Sequence, residues 1–163
     1  MGALTGKVAI VTGAGQGVGR CHAELLAAEG AAVVVNDLGE SADVVAAAIV
    51  ANGGRAVAQR GSVSDWAAAE ALVQRAITEF GDLHILVNNA GFIRDAMSFS
   101  MEEAPFDSVV SVHLKGHFAP AHFAAVYWRN QAKALEGTEG GLPQRRIINT
   151  TSESGLFGGP GQG

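Results

Sequence analysis

The chain has 163 residues, of which 48% are hydrophobic, and carries a formal net charge of −5. This length is enough to bury a core and predicts one domain, residues 1–163. The acidic balance and the lack of any basic run argue against a nucleic acid as partner.

Three features of the sequence indicate where in the cell the protein is located. No charged leader with an apolar stretch and cleavage site precedes the first strand pattern, and the longest apolar run, 44–51, is too short to span a bilayer. The single cysteine, Cys21, cannot form an internal disulfide and is expected to be a buried packing residue. The sequence therefore predicts a cytoplasmic protein with no membrane partner.

Short β-branched runs alternate with longer alanine-rich segments of helical period. The runs predicted to be strands are 7–12, 31–36, 55–60, 83–88 and 146–150. Helices are predicted at 18–29, behind Ser41 to about 51, at 65–80 and from about 106 to 130, and 131–143 is predicted to be a surface connection. Ser41 and Ser64 are expected to cap the second and third helices, and the chain from Ser152 onward is predicted to be a loop. The expected inner face of the third helix is Ala68, Ala71, Leu72, Ile77 and Phe80.

The alternation of strands with helices favours right-handed βαβ units. The predicted fold is therefore α/β, a doubly wound parallel sheet of the Rossmann-like kind, with helices on both faces. No internal repeat or low-complexity tract indicates a second domain.

A glycine-rich turn joins the first strand to the first helix. Its glycines let the backbone turn tightly and approach a diphosphate, and the helix N-terminus offers unpaired N–H groups at its positive end. The spacing, T-G-x-x-x-G-x-G, is neither the G-x-G-x-x-G fingerprint nor a P-loop. The turn predicts a dinucleotide site, and a turn without a ligand is the alternative. The predicted contacts are Gly13, Gly15, Gln16, Gly17, Val18 and Gly19.

Asp37 ends the second strand, where a carboxylate can accept hydrogen bonds from the ribose hydroxyls of adenosine, and Leu38 after it is also a predicted cofactor contact. The 2′-phosphate of NADP would face this carboxylate as a like charge. Two unit charges about 4 Å apart repel by roughly 4 kcal/mol at an effective dielectric constant near 20. No Arg or Lys in the turn or just after Asp37 offsets that repulsion. The sequence therefore predicts NAD(H) as the cofactor, and a solvated loop acid is the alternative role for Asp37.

Three segments together resemble the short-chain dehydrogenase/reductase family, in family order and at family-like spacing over essentially the whole chain. They are Thr12-Gly13 with Gly17 and Gly19, Asn88-Asn89-Ala90-Gly91, and Asn149-Thr150-Thr151-Ser152. A second resemblance is to the branch that contains the dehydrogenase part of peroxisomal multifunctional 3-hydroxyacyl-CoA enzymes. Segments 35–39, 93–95, 112–116 and 161–163 carry it.

The resemblance implies hydride transfer between NAD(H) and a secondary alcohol or ketone, a 3-hydroxyacyl thioester being one candidate. It implies a small-molecule substrate and a homo-oligomer, dimer or tetramer, formed through the long helix. Ser62 and Val63 stand where the family has an acidic residue followed by Val against the adenine. The resemblance also implies cofactor contacts at Asn89, Ala90 and Gly91.

The family's catalytic residues are only partly matched. The resemblance implies that Ser152 polarises the substrate oxygen, and that His113 replaces an asparagine whose backbone carbonyl anchors a water relay. The family's Tyr-x-x-x-Lys pair does not occur in this sequence. We therefore expect the fold to be incomplete at its C-terminus, with Ile147 and Ile148 on an unpaired edge, and these residues alone to be inactive.

Two other functions remain alternatives. One is a non-catalytic dinucleotide-binding or partner-binding protein. The other, a sugar-nucleotide epimerase, fits less well because such enzymes resemble T-G-x-x-G-x-x-G spacing. His113 and His117 lie four apart, but no Cys or carboxylate ligand accompanies them, so no metal site is predicted. They are expected to line the nicotinamide pocket or a subunit interface, and Tyr127 is expected to be a packing residue.

Overall fold

The computed structural model describes residues 2–137 and 143–158. Five parallel strands form one sheet in the order β3-β2-β1-β4-β5. The strands are β1 Val8–Val11, β2 Ala32–Asp37, β3 Arg55–Arg60, β4 Ile85–Asn88 and β5 Arg146–Asn149. The predicted doubly wound parallel sheet is confirmed, and the segment 161–163, which contributed to the second resemblance, lies outside the described residues.

Helices cover both faces of the sheet. They are α1 Gly17–Ala28, α2 Ser41–Ala51, α3 Trp66–Phe80, α4 Glu103–Val110, α5 Gly116–Ala134 and α6 Ser154–Phe157, with a 3₁₀ turn at Ser98–Ser100. A π-helical turn, Ser111–Lys115, separates α4 from α5. The predicted long helix at 106–130 is therefore confirmed as helical throughout, although the helical segment runs from Glu103 to Ala134 and contains the π turn. The short helix α6 replaces part of the loop predicted after Ser152.

The core lies in two layers because successive strand residues point to opposite faces of the sheet. Val33 and Val35 pack with α1 and α2 on one face, whereas Val34 and Leu86 pack with α3 and α5 on the other. All four side chains are almost fully buried. Because all five strands are parallel, their carboxyl ends lie on one side of the molecule, where most of the predicted site residues lie.

The start of α3 corrects one predicted cap. Asp65 caps this helix, and its Oδ1 accepts a 2.7 Å hydrogen bond from the amide of Ala68. The hydroxyl of Ser64 instead pairs with that of Ser62 at 2.9 Å. Asp and Ser are both good capping residues, and here the carboxylate is the one that reaches the free amide. Gly81 ends α3 with φ +83°, a left-handed conformation that favours glycine.

Three further expectations about residues on the helices are corrected. Ser41 is the first residue of α2 and makes no capping hydrogen bond, because Glu40 occupies the capping position. On α3, Ala71 is exposed and the buried face is Ala69, Leu72, Val73 and Ala76. This set follows the i, i+3, i+4, i+7 spacing of a helix face that packs on a sheet. Cys21 is exposed on α1, contrary to the expected burial.

A polar cluster closes the amino end of the sheet. Asp82 Oδ1 accepts hydrogen bonds from Tyr127 Oη at 2.9 Å and from Arg145 Nη1 at 2.7 Å. Trp128 Nε1 donates to the carbonyl oxygen of Leu83 at 2.7 Å. Burial by itself raises the pKa of Asp82, but the hydrogen bonds from Arg145, the amide of Leu83 and Tyr127 lower it overall. Tyr127 also packs against the α3/α5 core layer, which confirms its predicted packing role.

The described part of β5 forms the edge of the sheet beside β4. Ile147 and Ile148 are 41% and 46% exposed there.

Within residues 2–137 and 143–158, no helix has both the length and the apolar character needed to cross a membrane.

Candidate active site

A cleft of about 400 Å³ opens at the carboxyl ends of β1 to β4. Strand order reverses there, since β1 lies between β2 and β4, and ligands of open α/β sheets bind at such switch points. The volume falls within the range of small-molecule sites. The lining residues are Gly13, Gln16, Val18, Gly19, Asn36, Asp37, Leu38, Gly61, Ser62, Val63, Asn89, Ala90, Gly91, Phe92 and Val112.

The structure brings most of the predicted cofactor contacts together in this cleft. Gly15 and Gly17 are the two exceptions among the described residues: Gly15 is buried and does not line the cleft, and Gly17 begins α1 with φ +54°. The cleft is also lined by four residues that were not predicted from the sequence, Asn36, Gly61, Phe92 and Val112. The first two were detectable, because they adjoin the carboxyl ends of strands paired in a parallel sheet.

Because glycine has no side chain, the glycine-rich turn can approach the backbone of segment 89–91 closely. A Cβ on Gly13 would lie 2.7 Å from the Cα of Ala90, and one on Gly19 would lie 2.4 Å from Asn89 Nδ2. Gly13 also has φ +60°, which favours glycine. The turn therefore packs directly against the segment 89–91, and both line the same cleft.

Thr12 connects these two segments by hydrogen bonds. Its buried Oγ1 accepts from the amides of Asn89 at 2.9 Å and Ala90 at 3.0 Å. Asn89 Nδ2 in turn donates to the carbonyl oxygens of Thr12 at 3.1 Å and Gly13 at 3.2 Å. Thr12 was not among the predicted site residues, although its place at the head of the glycine motif was the signal that could have identified it.

The N-terminus of α1 opens onto the cleft and has the donors that an anion requires. Gln16 holds the capping position with extended backbone, φ −157°, but makes no side-chain capping hydrogen bond, and the first turn has no acidic residue. By contrast, the carboxylate of Asp65 caps α3. The first N–H groups of a helix and its positive dipole end together attract a phosphate. These residues fit the diphosphate of a dinucleotide.

Asp37 lines the same cleft, half-buried, with its carboxylate oriented by two backbone amides. Its Oδ2 accepts from the amide of Gly15 at 2.8 Å, and its Oδ1 accepts from the amide of Leu38 at 2.7 Å. No lysine or arginine is found in the lining formed by the described residues. The anion-attracting turn and a fixed negative charge therefore lie at different places in one cleft.

The predicted adenine-side pair, Ser62 and Val63, also lines the cleft. Ser62 Oγ accepts from the amide of Ser64 at 3.3 Å, and Val63 is buried. A Cβ on Gly116 would lie 2.6 Å from Val63 Cγ2, so this glycine lets α5 approach Val63 closely.

A second cavity, of about 500 Å³, adjoins the cleft and shares Phe92 with it. Both predicted catalytic residues, Ser152 and His113, line this cavity. Ser152 is exposed, and its Oγ accepts from the amide of Ser154 at 3.2 Å. The remaining lining residues are largely apolar: Phe92, Ile93, Arg94, Asp95, Met101, Phe106, Val109, Val110, Ser154 and Gly155.

His113 and His117 contact the backbone of the wall between the cavities. His113 Nε2 lies 3.0 Å from the amide nitrogen and 2.8 Å from the carbonyl oxygen of Phe92. His117 Nε2 lies 3.1 Å from the carbonyl oxygen of Ala90. His113 belongs to the π turn, a feature often found at functional sites. Across the described ranges, no group of three or more His, Cys, Asp or Glu side chains is arranged to hold a metal ion.

Comparisons with known proteins agree with this arrangement. The family model described as short chain dehydrogenase matches residues 7–163. The crystal structure of a short chain dehydrogenase from Mycobacterium avium is similar with a TM-score of 0.94 and 49% identity, over 99% of this chain and 60% of that one.

Two curated relatives cover the same region. Hydroxyacyl-CoA dehydrogenase ChsB1 of Mycobacterium tuberculosis is 46% identical over 165 residues, 98% of this chain and 51% of the relative. The peroxisomal hydratase-dehydrogenase-epimerase of Neurospora crassa is 40% identical over 167 residues, 96% of this chain and 17% of the relative. The chain thus spans about half of the first relative and a smaller part of the second. Both predicted resemblances are confirmed, and the chain belongs to the short-chain dehydrogenase family.

Proposed function

We propose that the whole protein is an NAD(H)-dependent oxidoreductase that acts on a secondary alcohol or ketone. One observation carries the proposal: the uncapped start of α1 and the oriented carboxylate of Asp37 line one cleft, which adjoins a second cavity containing Ser152. The family uses nicotinamide dinucleotides. When bound, this cofactor supplies or accepts the hydride.

The chain's own residues would divide the work of binding. The amides at the start of α1 hold the diphosphate, while Asn89, Ala90 and Gly91 line the cleft opposite the turn. Asp37 accepts hydrogen bonds from the ribose hydroxyls of adenosine and repels a 2′-phosphate, which supports NAD(H) over NADP(H).

Substrate binding is assigned to the second cavity. Ser152 donates a hydrogen bond to the substrate oxygen, and the apolar side chains of Met101, Phe106 and Val109 fit an acyl chain. We propose a 3-hydroxyacyl thioester as the substrate, and the name of one relative, a hydroxyacyl-CoA dehydrogenase, supports this class of compound.

A polypeptide of these 163 residues alone is proposed to be inactive. In the family, a tyrosine acts as the general acid/base with a lysine four residues later, and this sequence has no such pair. Its single tyrosine, Tyr127, donates to Asp82 at the opposite end of the sheet. A phenol of ordinary pKa near 10 needs a nearby cation to transfer protons at neutral pH.

A homo-oligomer is also proposed. Leu114 and Phe118, one turn apart on the π turn and α5, are 69% and 60% exposed, and Trp66 beside Phe118 is 42% exposed. Contiguous exposed apolar side chains mark association surfaces. Sedimentation of a Leu114→Lys variant should show smaller species than the wild type.

The cytoplasmic location stays a prediction of the sequence.

The experiment is a turnover assay on the protein expressed from its complete gene, with NAD and a 3-hydroxyacyl-CoA or simple secondary alcohols. We expect NADH to form, and Ser152→Ala to lower kcat by on the order of 100-fold, as for loss of one donor to a developing oxyanion. Ser100→Ala, a serine outside both cavities, is the matched control. NADH binding without any turnover would instead favour the non-catalytic dinucleotide-binding protein.

A further inference from the structure

Arg60 stands beside Asp37 in the sheet. It ends β3 and is the Cα partner of Asp37 in the parallel register of β2 and β3. Neighbouring strands lie about 4.8 Å apart, and paired side chains leave the sheet on the same face. The next residue, Gly61, lines the cleft. The backbone of Arg60 therefore lies next to that of Asp37, whose carboxylate is proposed to bind the ribose.

Two carboxylates at the start of α2 hold this guanidinium. Arg60 Nε lies 2.7 Å from Asp43 Oδ2, and Arg60 Nη1 lies 3.5 Å from Glu40 Oε1. The Arg60 side chain is half exposed and, among the described residues, is not part of the cleft lining. Arg60, the cation paired with Asp37 in the sheet, therefore binds the carboxylates of α2 and not that of Asp37.

We infer that Glu40 and Asp43 are specificity-determining residues, because they hold Arg60 away from the adenosine end of the cleft. Arginine binds phosphate well through its planar array of donors. Once released, Arg60 can reach a 2′-phosphate or neutralise Asp37, and either outcome favours NADP relative to NAD. The two acids therefore act with Asp37 to keep this end of the cleft negative. The inference rests on the proposed NAD(H) preference.

The test is a fluorescence titration of NADH and NADPH, at low salt, on the protein expressed from its complete gene. In the Glu40→Gln/Asp43→Asn double variant, the Kd for NADPH relative to that for NADH should fall by roughly fivefold, the size expected for one partly screened charge at the rim of a site. Glu79→Gln, which breaks the exposed Arg75–Glu79 pair on α3, should leave the ratio unchanged.

A third substitution separates the action of Arg60 from simple loss of negative charge. Adding Arg60→Gln to the double variant should return the ratio to its wild-type value. If the triple variant keeps the altered ratio, the acids act only through their own charges and the inference is overturned. If the double variant still binds NADH but its ratio of Kd values is unchanged, the inference about Glu40 and Asp43 is overturned and the proposed function stands. If the wild-type protein binds neither dinucleotide, the proposed function itself is overturned.

Discussion

The amide of Gly15 donates a 2.8 Å hydrogen bond to Oδ2 of Asp37 and so joins the glycine-rich turn to the end of β2. The other oxygen of the same carboxylate accepts from the amide of Leu38. Backbone groups therefore set the orientation of the carboxylate before a ligand binds. Such preorganisation lowers the entropic cost of binding.

Replacing Gly15 should weaken the binding of NADH. A Cβ at this position would lie 2.1 Å from Ser41 Oγ and 2.8 Å from Asp37 Oδ2, so the turn or the carboxylate must move. We expect Gly15→Ala to raise the Kd for NADH by about tenfold or more, since a hydrogen bond to a charged group contributes about 1.5–3 kcal/mol. Gly39→Ala is the control, because its Cβ would meet nothing within 4 Å. Equal affinities for both variants would contradict this role of Gly15.

His113 should affect turnover through the position of Phe92. Its Nε2 lies within hydrogen-bond distance of both backbone polar atoms of Phe92, which lines the cleft and the second cavity. In the active full-length protein, His113→Ala should lower kcat by roughly tenfold to a hundredfold through misplacement of this wall. His113→Asn keeps a donor and an acceptor and should retain most of the activity. The idea fails if both substitutions lower kcat equally.

The buried His84 should make stability depend on pH. Its Nδ1 accepts a 3.1 Å hydrogen bond from the amide of Val8, which requires the ring to be unprotonated at that nitrogen. Burial, with smaller effects of Arg145 and Lys7, lowers the pKa of His84 below its ordinary 6.5, whereas Asp82 opposes the shift.

Because the folded-state pKa is the lower one, the unfolded chain takes up the proton first. The contribution of His84 to stability is therefore fully present above pH 6.5 and is lost as the pH falls through the lower folded value. Urea denaturation should show a smaller free energy of unfolding at pH 5 than at pH 7. His84→Asn should reduce this difference, and His122→Asn, an exposed histidine on α5, should not. A pH dependence that survives His84→Asn would contradict the assignment.

Tyr127 should stabilise the fold through its hydroxyl. Tyr127→Phe keeps the ring in the core layer but removes the 2.9 Å hydrogen bond to Asp82. We expect a loss of about 1 kcal/mol in the free energy of unfolding, the usual net value of one hydrogen bond. The measurement is urea denaturation at pH 7. An unchanged midpoint would contradict this role of the hydroxyl, because the hydrogen bonds from Arg145 and the Leu83 amide would then be enough to stabilise the Asp82 carboxylate.

The strands and the glycine turn were predictable because their signals are local. A valine run such as 33–35 is typical of a buried strand, and glycine supplies the positive φ that the turn requires at Gly13 and Gly17. The position of Asp37 then follows from the end of β2. The pairing of β2 with β3 places Gly61 beside it, where the amide of Gly61 donates to the carbonyl oxygen of Asp37 at 3.0 Å.

The remaining features depend on contacts between distant segments. The π turn at Ser111–Lys115 was not predicted, and its His113 ring packs 2.5 Å from where a Cβ of Gly91 would lie. Phe92 and Val112 reach the cleft from different segments, which no local pattern reveals. For the same reason Cys21 is exposed: the face that α1 turns to the core, not residue type, decides its burial.

The most direct measurement is a crystal structure of the protein expressed from its complete gene, grown with saturating NADH. We expect the diphosphate on the amides at the start of α1 and the adenosine ribose hydroxyls on the carboxylate of Asp37. An empty cleft at saturating NADH, or the cofactor bound elsewhere, would contradict this expectation.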